Sequence, residues 1–216
     1  MGPKNRWEQE RLEGKNQRLT DILEAAKRVF VRKGLDKSTM QDVAKEANIG
    51  VATVFRYFPK KEKLIVAVAT QILESQMSAF EEIAQMPVPC LVKVEKLLDL
   101  FISFVTEEHS DNTKLIEAFE SYTSLLHEPM EDIAAYEEVS RRLNGIYSDI
   151  FAQGQTDGSI RSDISVDAYL RSIANTFGTV SKKLSAQRYH ILPHLKMEPE
   201  EQLHILKRIF LDFLRA

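Results

Sequence analysis

The sequence predicts an all-α protein of about nine helices, and three observations carry that expectation. Apolar residues recur at three- and four-residue spacing along almost the whole chain. Glycine and proline are scarce, at 8 and 7 residues, and serve chiefly as punctuation between such segments. No run alternates long enough to read as a strand.

Taken in order, the first helix is expected from about Gln17 to Lys33, with Ile22, Ala25, Ala26, Val29 and Phe30 on one face and Gly34 as its stop. In "STMQD", Ser38 or Thr39 can cap a second helix, and Asp42 stands three residues after Thr39 as in a capping box. That helix is short and ends near Ala47. Asn48 follows, a residue that tolerates the left-handed backbone of a tight helix–helix turn. The third helix lies in "GVATVFRYFPKKEKL" and stops at Pro59, too short to be stable alone. Longer helices are expected over about 61–85, 90–108, 113–126, 130–155, 166–188 and 199–214. "MPVP", "HSDN", "HEP" and "TDG" separate them, "SDIS" caps the eighth, and Pro199 sits well in the first turn of the ninth.

At 216 residues the chain has room for one large domain or a small one joined to a larger. Its 44% hydrophobic and 28% charged residues fit an ordinary soluble globular protein. No apolar run approaches a bilayer span, so no membrane partner is expected, and the charged N-terminus lacks the apolar centre of a signal peptide. The single cysteine, Cys90, cannot form an internal disulfide, which fits a cytoplasmic protein and a plain buried thiol. Residues 1–64 carry 15 Lys/Arg against 9 Asp/Glu, a net of +6, while the remainder carries −9. A basic segment on an acidic body suggests that one end meets a polyanion.

Two short helices across a four-residue turn match the helix-turn-helix, whose second helix enters the major groove. Small residues, Ala44 and Ala47, stand where the second helix would cross the first closely. On a helical wheel Val51, Val54, Phe55 and Phe58 share a rear face, and Ala52, Thr53, Arg56 and Tyr57 share the front. Arg56 can form two hydrogen bonds to a guanine edge, and Gln41 could pair with adenine. Thr53 and Tyr57 can donate to phosphates, and Lys60, Lys61 and Lys63 crowd the next helix start as phosphate clamps. A helical co-regulator using the same face on a protein partner is the alternative; steep salt dependence of DNA binding separates the two.

"STMQDVAKEANIGVATVFRYFPKKEKLI", with "RVFVRKG" before it, resembles the DNA-binding segment of the TetR family of bacterial transcriptional regulators. Thr39, Ala44, Ala47, Thr53, Tyr57, Phe58, Lys61, Glu62 and Leu64 occupy its pattern positions, and "GQTDGSIRSDISVDAYLRSI" is similar to the stretch leading into the family's dimerisation helices. The resemblance implies a helix-turn-helix DNA-binding domain over 1–64, with 1–16 a flexible or helical extension, and a larger ligand-binding and dimerisation domain over 65–216. It implies that Thr39, Thr53, Tyr57 and Lys61 touch phosphates, while Gln41, Val51, Ala52, Phe55 and Arg56 face bases, which moves Val51 and Phe55 to the rim of the reading face. Three positions depart from the pattern: Asn48 stands for the turn glycine, Gly50 for a small polar cap, and Val51 where a polar residue is common.

The implied function is a homodimeric, ligand-responsive repressor, released from a near-palindromic double-stranded operator by a small-molecule inducer. Phe101, Phe104, Phe119, Tyr122, Tyr147, Phe151 and Phe177 recur on several helices of the body, as core or as an apolar ligand's cavity. Glu117, Ser121 and Thr176 are the polar candidates near them. The last two helices would pair with their mates in a four-helix bundle through Ile173, Phe177, Val180, Leu184, Leu206, Phe210 and Phe213. No cofactor is implied. His190 and His194 have a zinc-like spacing that Pro193 spoils, so no metal is expected. No nucleophile–base pattern or phosphate loop appears, and no enzyme is expected.

Overall fold

The computed structural model describes residues 3–104, 110–126, 128, 130–187 and 199–215. Among these, helices are the regular elements: α1 (Pro3–Lys33), α2 (Met40–Glu46), α3 (Val51–Tyr57), α4 (Lys61–Gln85), α5 (Cys90–Ser103), α6 (Ser110–Ser124), α7 (Ile133–Asp157), α8 (Val166–Gln187) and α9 (Pro199–Leu214). One antiparallel bridge, Ile160 to Arg215, is the β pairing among them. No helix of the described residues is long and apolar enough to cross a membrane.

Most boundaries follow the expected punctuation; α6 and α7 are shifted by two or three residues, and two boundaries differ by more. Helix α1 begins at Pro3 rather than near Gln17, because nothing in "KNRWEQERLEGKNQ" breaks a helix except Gly14, which costs only about 1 kcal/mol. Helix α5 ends at Ser103, short of the expected Glu108; residues 105–109 lie outside the described residues. His190, Pro193 and His194 also lie outside them.

The chain divides into two compact units. The first comprises Met1–Ile72 and Leu115–Glu137, and the second Leu73–Lys114 and Glu138–Ala216. A border at 64/65 would fall inside α4. The core of the first unit gathers Ile22, Ala26, Val29 and Phe30 of α1, Val43 and Ala44 of α2, Val54 of α3, Leu64 and Val68 of α4, and Phe119 of α6. Two clamps hold α1 to α2. Glu46 receives Arg28 at 2.8 Å and Arg32 at 2.9 Å, and Lys33 lies 2.5 Å from Asp42. The two guanidiniums hold the Glu46 carboxyl below its ordinary range, Arg28 most strongly, and Lys33 and then Thr39 do the same for Asp42.

The second unit packs α5 on α9 and α9 on α8, with Leu97, Leu98, Ile150, Phe151, Leu203 and Leu214 fully enclosed. Lys207 of α9 sits among Asp99 at 2.6 Å and Glu95 at 3.0 Å of α5. Burial pulls its ammonium down, and the two carboxylates outweigh that and leave it raised. The start of α5 is capped from a distant loop. The amide of Cys90 donates to Asp157 Oδ2 at 3.3 Å, and that of Leu91 donates to Ser159 Oγ at 3.2 Å. The loop bearing those caps closes against α7 at Gly154, where a Cβ would come within 2.4 Å of Ile160 and 2.9 Å of Cys90. A glycine is therefore required for this approach.

Ser159, through side chain and backbone, holds the Asp157 carboxyl down to about 2, with Cys90 assisting. A depressed carboxylate stabilises the fold above its unfolded pKa, and that stabilisation is lost as pH falls through about 2. Asp157→Asn is expected to lower thermal stability at neutral pH by about 0.5–2 kcal/mol, the usual cost of a lost cap. It should also flatten the fall in stability between about pH 4 and pH 2. Thermal melts across that range check both; parallel wild-type and variant curves would exclude the cap.

Candidate nucleic-acid interface and ligand cavity

Helices α2 and α3 are joined by a turn whose hydrogen bonds are those of a Schellman motif. Ile49 N–H donates to Ala44 O at 3.0 Å and Asn48 N–H to Lys45 O at 3.2 Å, with Asn48 at φ 53°. Thr39 and Asp42 form the expected capping box at the start of α2: each side chain accepts the other's backbone N–H, both at 3.1 Å. Gly50 caps α3 with no side chain, and its carbonyl accepts Thr53 N–H at 2.8 Å.

This frame sorts the side chains of α3. Val54 and Phe58 are buried, Val51, Thr53 and Tyr57 are half-buried, and Ala52, Phe55 and Arg56 are exposed. Phe55 is 42% exposed, so it stands on the open face and not on the rear, where the wheel alone puts it. The Arg56 guanidinium makes no hydrogen bond or ion pair to a described residue and lies 5.9 Å from the Tyr57 ring. Tyr57 Oη donates to Lys15 O at 3.4 Å, tying α3 to the N-terminal part of α1. Thr39 and Gln41 are exposed at the start of α2. A short helix thus presents one cation, one aromatic ring and a methyl on its free face, the chemistry that reads base edges.

The lysines after Pro59 are all engaged within the first unit. Lys61 Nζ donates to three carbonyls, Leu35 at 3.0 Å and Asp36 and Ser38 at 3.2 Å each, which fixes the loop before α2. Lys60 pairs with Glu131. Lys63 lies 2.8 Å from Asp132 and 3.4 Å from Glu131, and Asp132 holds its ammonium above the ordinary range with Glu131 adding to it.

A cavity of about 420 Å³ opens in the second unit between α5, α7 and α8. Val94, Leu97, Leu98, Phe151 and Ile173 form its buried apolar floor, with Phe101 and Leu170 half-buried in the wall. Asn144, Tyr147, Ser148, Asp167 and Arg171 supply its polar groups. Of the aromatic and polar residues expected to line a ligand pocket, Phe101, Tyr147 and Phe151 do so. Phe104 and Phe177 pack around Phe101, at ring separations of 6.4 and 6.5 Å, without lining the cavity. Thr176 is half-buried and does not line it. Glu117, Ser121 and Tyr122 belong to α6 in the first unit and contribute nothing to it; burial raises the Tyr122 phenol there.

Of the expected dimer contacts, Ile173 faces the cavity and Phe177 is buried against Phe210, with ring centroids 5.7 Å apart. Val180, Leu206 and Phe210 are half-buried against the second unit's own core. Phe213 is 50% exposed, with one face stacked on Tyr169. The side chain of Leu184 lies outside the described ones. Ile205 and Ile209, at 51% and 58%, are exposed one turn apart and extend to Phe213 as an apolar stripe on α9. Counting hydrophobic residues on α9 does not reveal which of its two apolar faces is outward; only the packing of Leu203, Leu211 and Leu214 does.

Residues 22–68 match the model of bacterial regulatory proteins of the tetR family. The match spans the helix-turn-helix frame described above. That segment is similar to the DNA-binding part of the family. The chain is a DNA-binding transcriptional regulator, and relatives similar to it over much of their length are named as such. A repressor of Rhodococcus jostii named KstR2 is 25% identical over 76% of this chain and 78% of its own. The structure of the ketosteroid regulator KstR2 of Mycobacterium tuberculosis superposes with a TM-score of 0.65 at 18% identity, covering 93% of this chain and 95% of that one. The regulator FadR of Bacillus subtilis, solved with stearoyl-CoA, gives 0.66 at 17% identity, covering 91% and 100%. At such identities the superpositions establish a shared fold.

Lys61→Met keeps the aliphatic stem and removes the donors to three carbonyls. We expect a fall in Tm of about 3–8 °C, from a loss of about 1.5–3 kcal/mol for charge-assisted hydrogen bonds in a chain of this size. A differential scanning melt measures it, and a Tm unchanged within a degree would sink the staple role.

Proposed function

We propose that the protein is a homodimeric repressor that holds a near-palindromic DNA operator and releases it when a small molecule fills the cavity of the second unit. The carrying observation is the free face of α3, where Phe55 and Arg56 are exposed and the Arg56 guanidinium makes no hydrogen bond or ion pair to a described residue. Nothing internal occupies this guanidinium, so it is available to a guanine edge, and the Phe55 ring can meet a thymine methyl. Gln41, Val51 and Ala52 complete the base-facing set. Thr39, Thr53 and Tyr57 act at phosphates, as do the backbone at Gly50 and the loop that Lys61 braces.

Two copies would set their recognition helices about 34–36 Å apart, one turn of duplex. The stripe of Ile205, Ile209 and Phe213 is the apolar face offered to the second copy, since exposed contiguous apolar surface marks an association site. A ligand acts through its different affinities for operator-competent and operator-incompetent conformers. The relatives named as repressors and the FadR structure with stearoyl-CoA support this reading.

Arg56→Ala is expected to cost about 1–3 kcal/mol of operator affinity and to relax base preference at one position per half-site. Selection of bound DNA from a random pool gives both; an unchanged preference would argue against a reading role. Ile209→Glu is expected to turn a dimer into a monomer in sedimentation while leaving the helical spectrum unchanged. A variant that stays dimeric would place the interface elsewhere.

A further inference from the structure

Several polar side chains around the cavity make no hydrogen bond or ion pair to a described residue, unlike Tyr169, Lys93 and Lys207 elsewhere in the second unit. Tyr169, another buried phenol in the unit, donates to Phe210 O at 2.7 Å. Lys93 donates to Ala84 O at 2.6 Å, and Lys207 has two carboxylates. Tyr147, by contrast, stacks on Phe101 at 5.8 Å and makes ring contacts only; its hydroxyl has no hydrogen bond to a described residue. Burial holds this phenol well above its ordinary pKa, so it is a neutral donor and acceptor at any working pH. Ser148, one residue further along α7 and also lining the cavity, likewise makes no hydrogen bond to a described residue.

At the rim, Asp167 and Arg171 stand one turn apart on α8, the spacing that usually gives a surface ion pair. They form none, nor does either pair with another described residue, although both line the cavity. A guanidinium with no ion pair to a described residue, above an apolar floor, favours an anion that arrives with its own apolar body. The neighbouring Asp167 carboxylate sets a limit. It tolerates a single negative charge shared with Arg171 and repels a double one.

Resting on the ligand-release reading above, we propose that the cavity takes a singly charged carboxylic acid with an apolar body and a hydroxyl partway along it. The carboxylate pairs with Arg171 at the rim, the hydroxyl exchanges hydrogen bonds with Tyr147 and Ser148, and the hydrocarbon lies on Val94, Leu97, Leu98 and Phe151. Asp167 excludes phosphate heads of equal length.

Calorimetric titration of the full-length protein with decanoate, hydroxydecanoates substituted along the chain, decanol, decylamine and decyl phosphate tests this without any operator. At least one hydroxydecanoate should bind best, decanoate next, and the phosphate and amine at least about tenfold more weakly than decanoate. Arg171→Gln should weaken both acids about tenfold and leave decanol unchanged, and Tyr147→Phe should erase the advantage of the hydroxylated acid. The proposal is overturned if decanol matches decanoate, if the amine or phosphate binds best, if Arg171→Gln weakens all ligands alike, or if no acid binds. Release of selected DNA by the same acids is a separate measurement. Binding without release leaves the ligand class standing and removes the inducer reading.

Discussion

The open face of α3 depends on one backbone event, the left-handed turn at Asn48. Its two hydrogen bonds to the carbonyls of Ala44 and Lys45 reverse the chain within four residues. Helix α3 has seven residues and cannot persist alone, so its existence rests on what the turn lets it bury. Val54 and Phe58 go inward, each stabilising by about 1.5–3 kcal/mol, and that leaves Phe55 and Arg56 no option but to face outward. On the proposed reading, the turn therefore fixes which aromatic ring is offered to a groove.

The ion pairs around this frame protect the angle rather than supply the energy. Glu46 and Asp42 are partly exposed, and pairs of that kind contribute little individually. Their value is geometric: Arg28, Arg32 and Lys33 come from the last two turns of α1 and reach both ends of α2, so α2 can neither slide nor roll on α1. Lys61 does similar work by gathering three loop carbonyls that would otherwise need water. Six of the cations of this segment, Arg28, Arg32, Lys33, Lys60, Lys61 and Lys63, are thus engaged internally, whereas the Arg56 guanidinium on the open face of α3 makes no hydrogen bond or ion pair to a described residue.

Much of this frame was legible in the sequence, for a physical reason. Caps and turns are local, so Thr39 with Asp42, Asn48, Gly34 and Pro59 announce the helix ends without any knowledge of the fold. Phe55 was legible only with help from the family pattern, because a wheel cannot tell a rim from a rear when the neighbouring helix is unknown. The ligand cavity was less so. Phe101, Tyr147 and Phe151 read as apolar lining, yet the residues that give it chemical character look like ordinary surface. Asp167 and Arg171 have the spacing of a routine ion pair, and their failure to pair exists only in three dimensions. Ile173 carried the signature of an interface residue and faces the cavity instead, since both sites want an aliphatic side chain on an amphipathic helix.

On the proposed reading, the cavity and the association face are parts of one packed system. Leu170, Arg171 and Ile173 line the cavity from α8, and Tyr169 and Phe177 of the same helix hold α9. Tyr169 meets Phe210 edge-on at 5.9 Å and stacks on Phe213 at 5.9 Å, and Phe177 lies 5.7 Å from Phe210. Close-packed aromatic contacts do not deform smoothly; they either hold or repack. A ligand that wedges α8 outward must carry Tyr169 with it, and Phe213 then shifts within the stripe that includes Ile205 and Ile209. Adjacency alone does not make this a signal. It becomes one only if the ligand binds one α8 position better than the other. A charged head fixed at Arg171 and a hydrocarbon body held on Val94, Leu97 and Leu98 of α5 would create that difference, because the head moves with α8 and the α5 part of the floor does not.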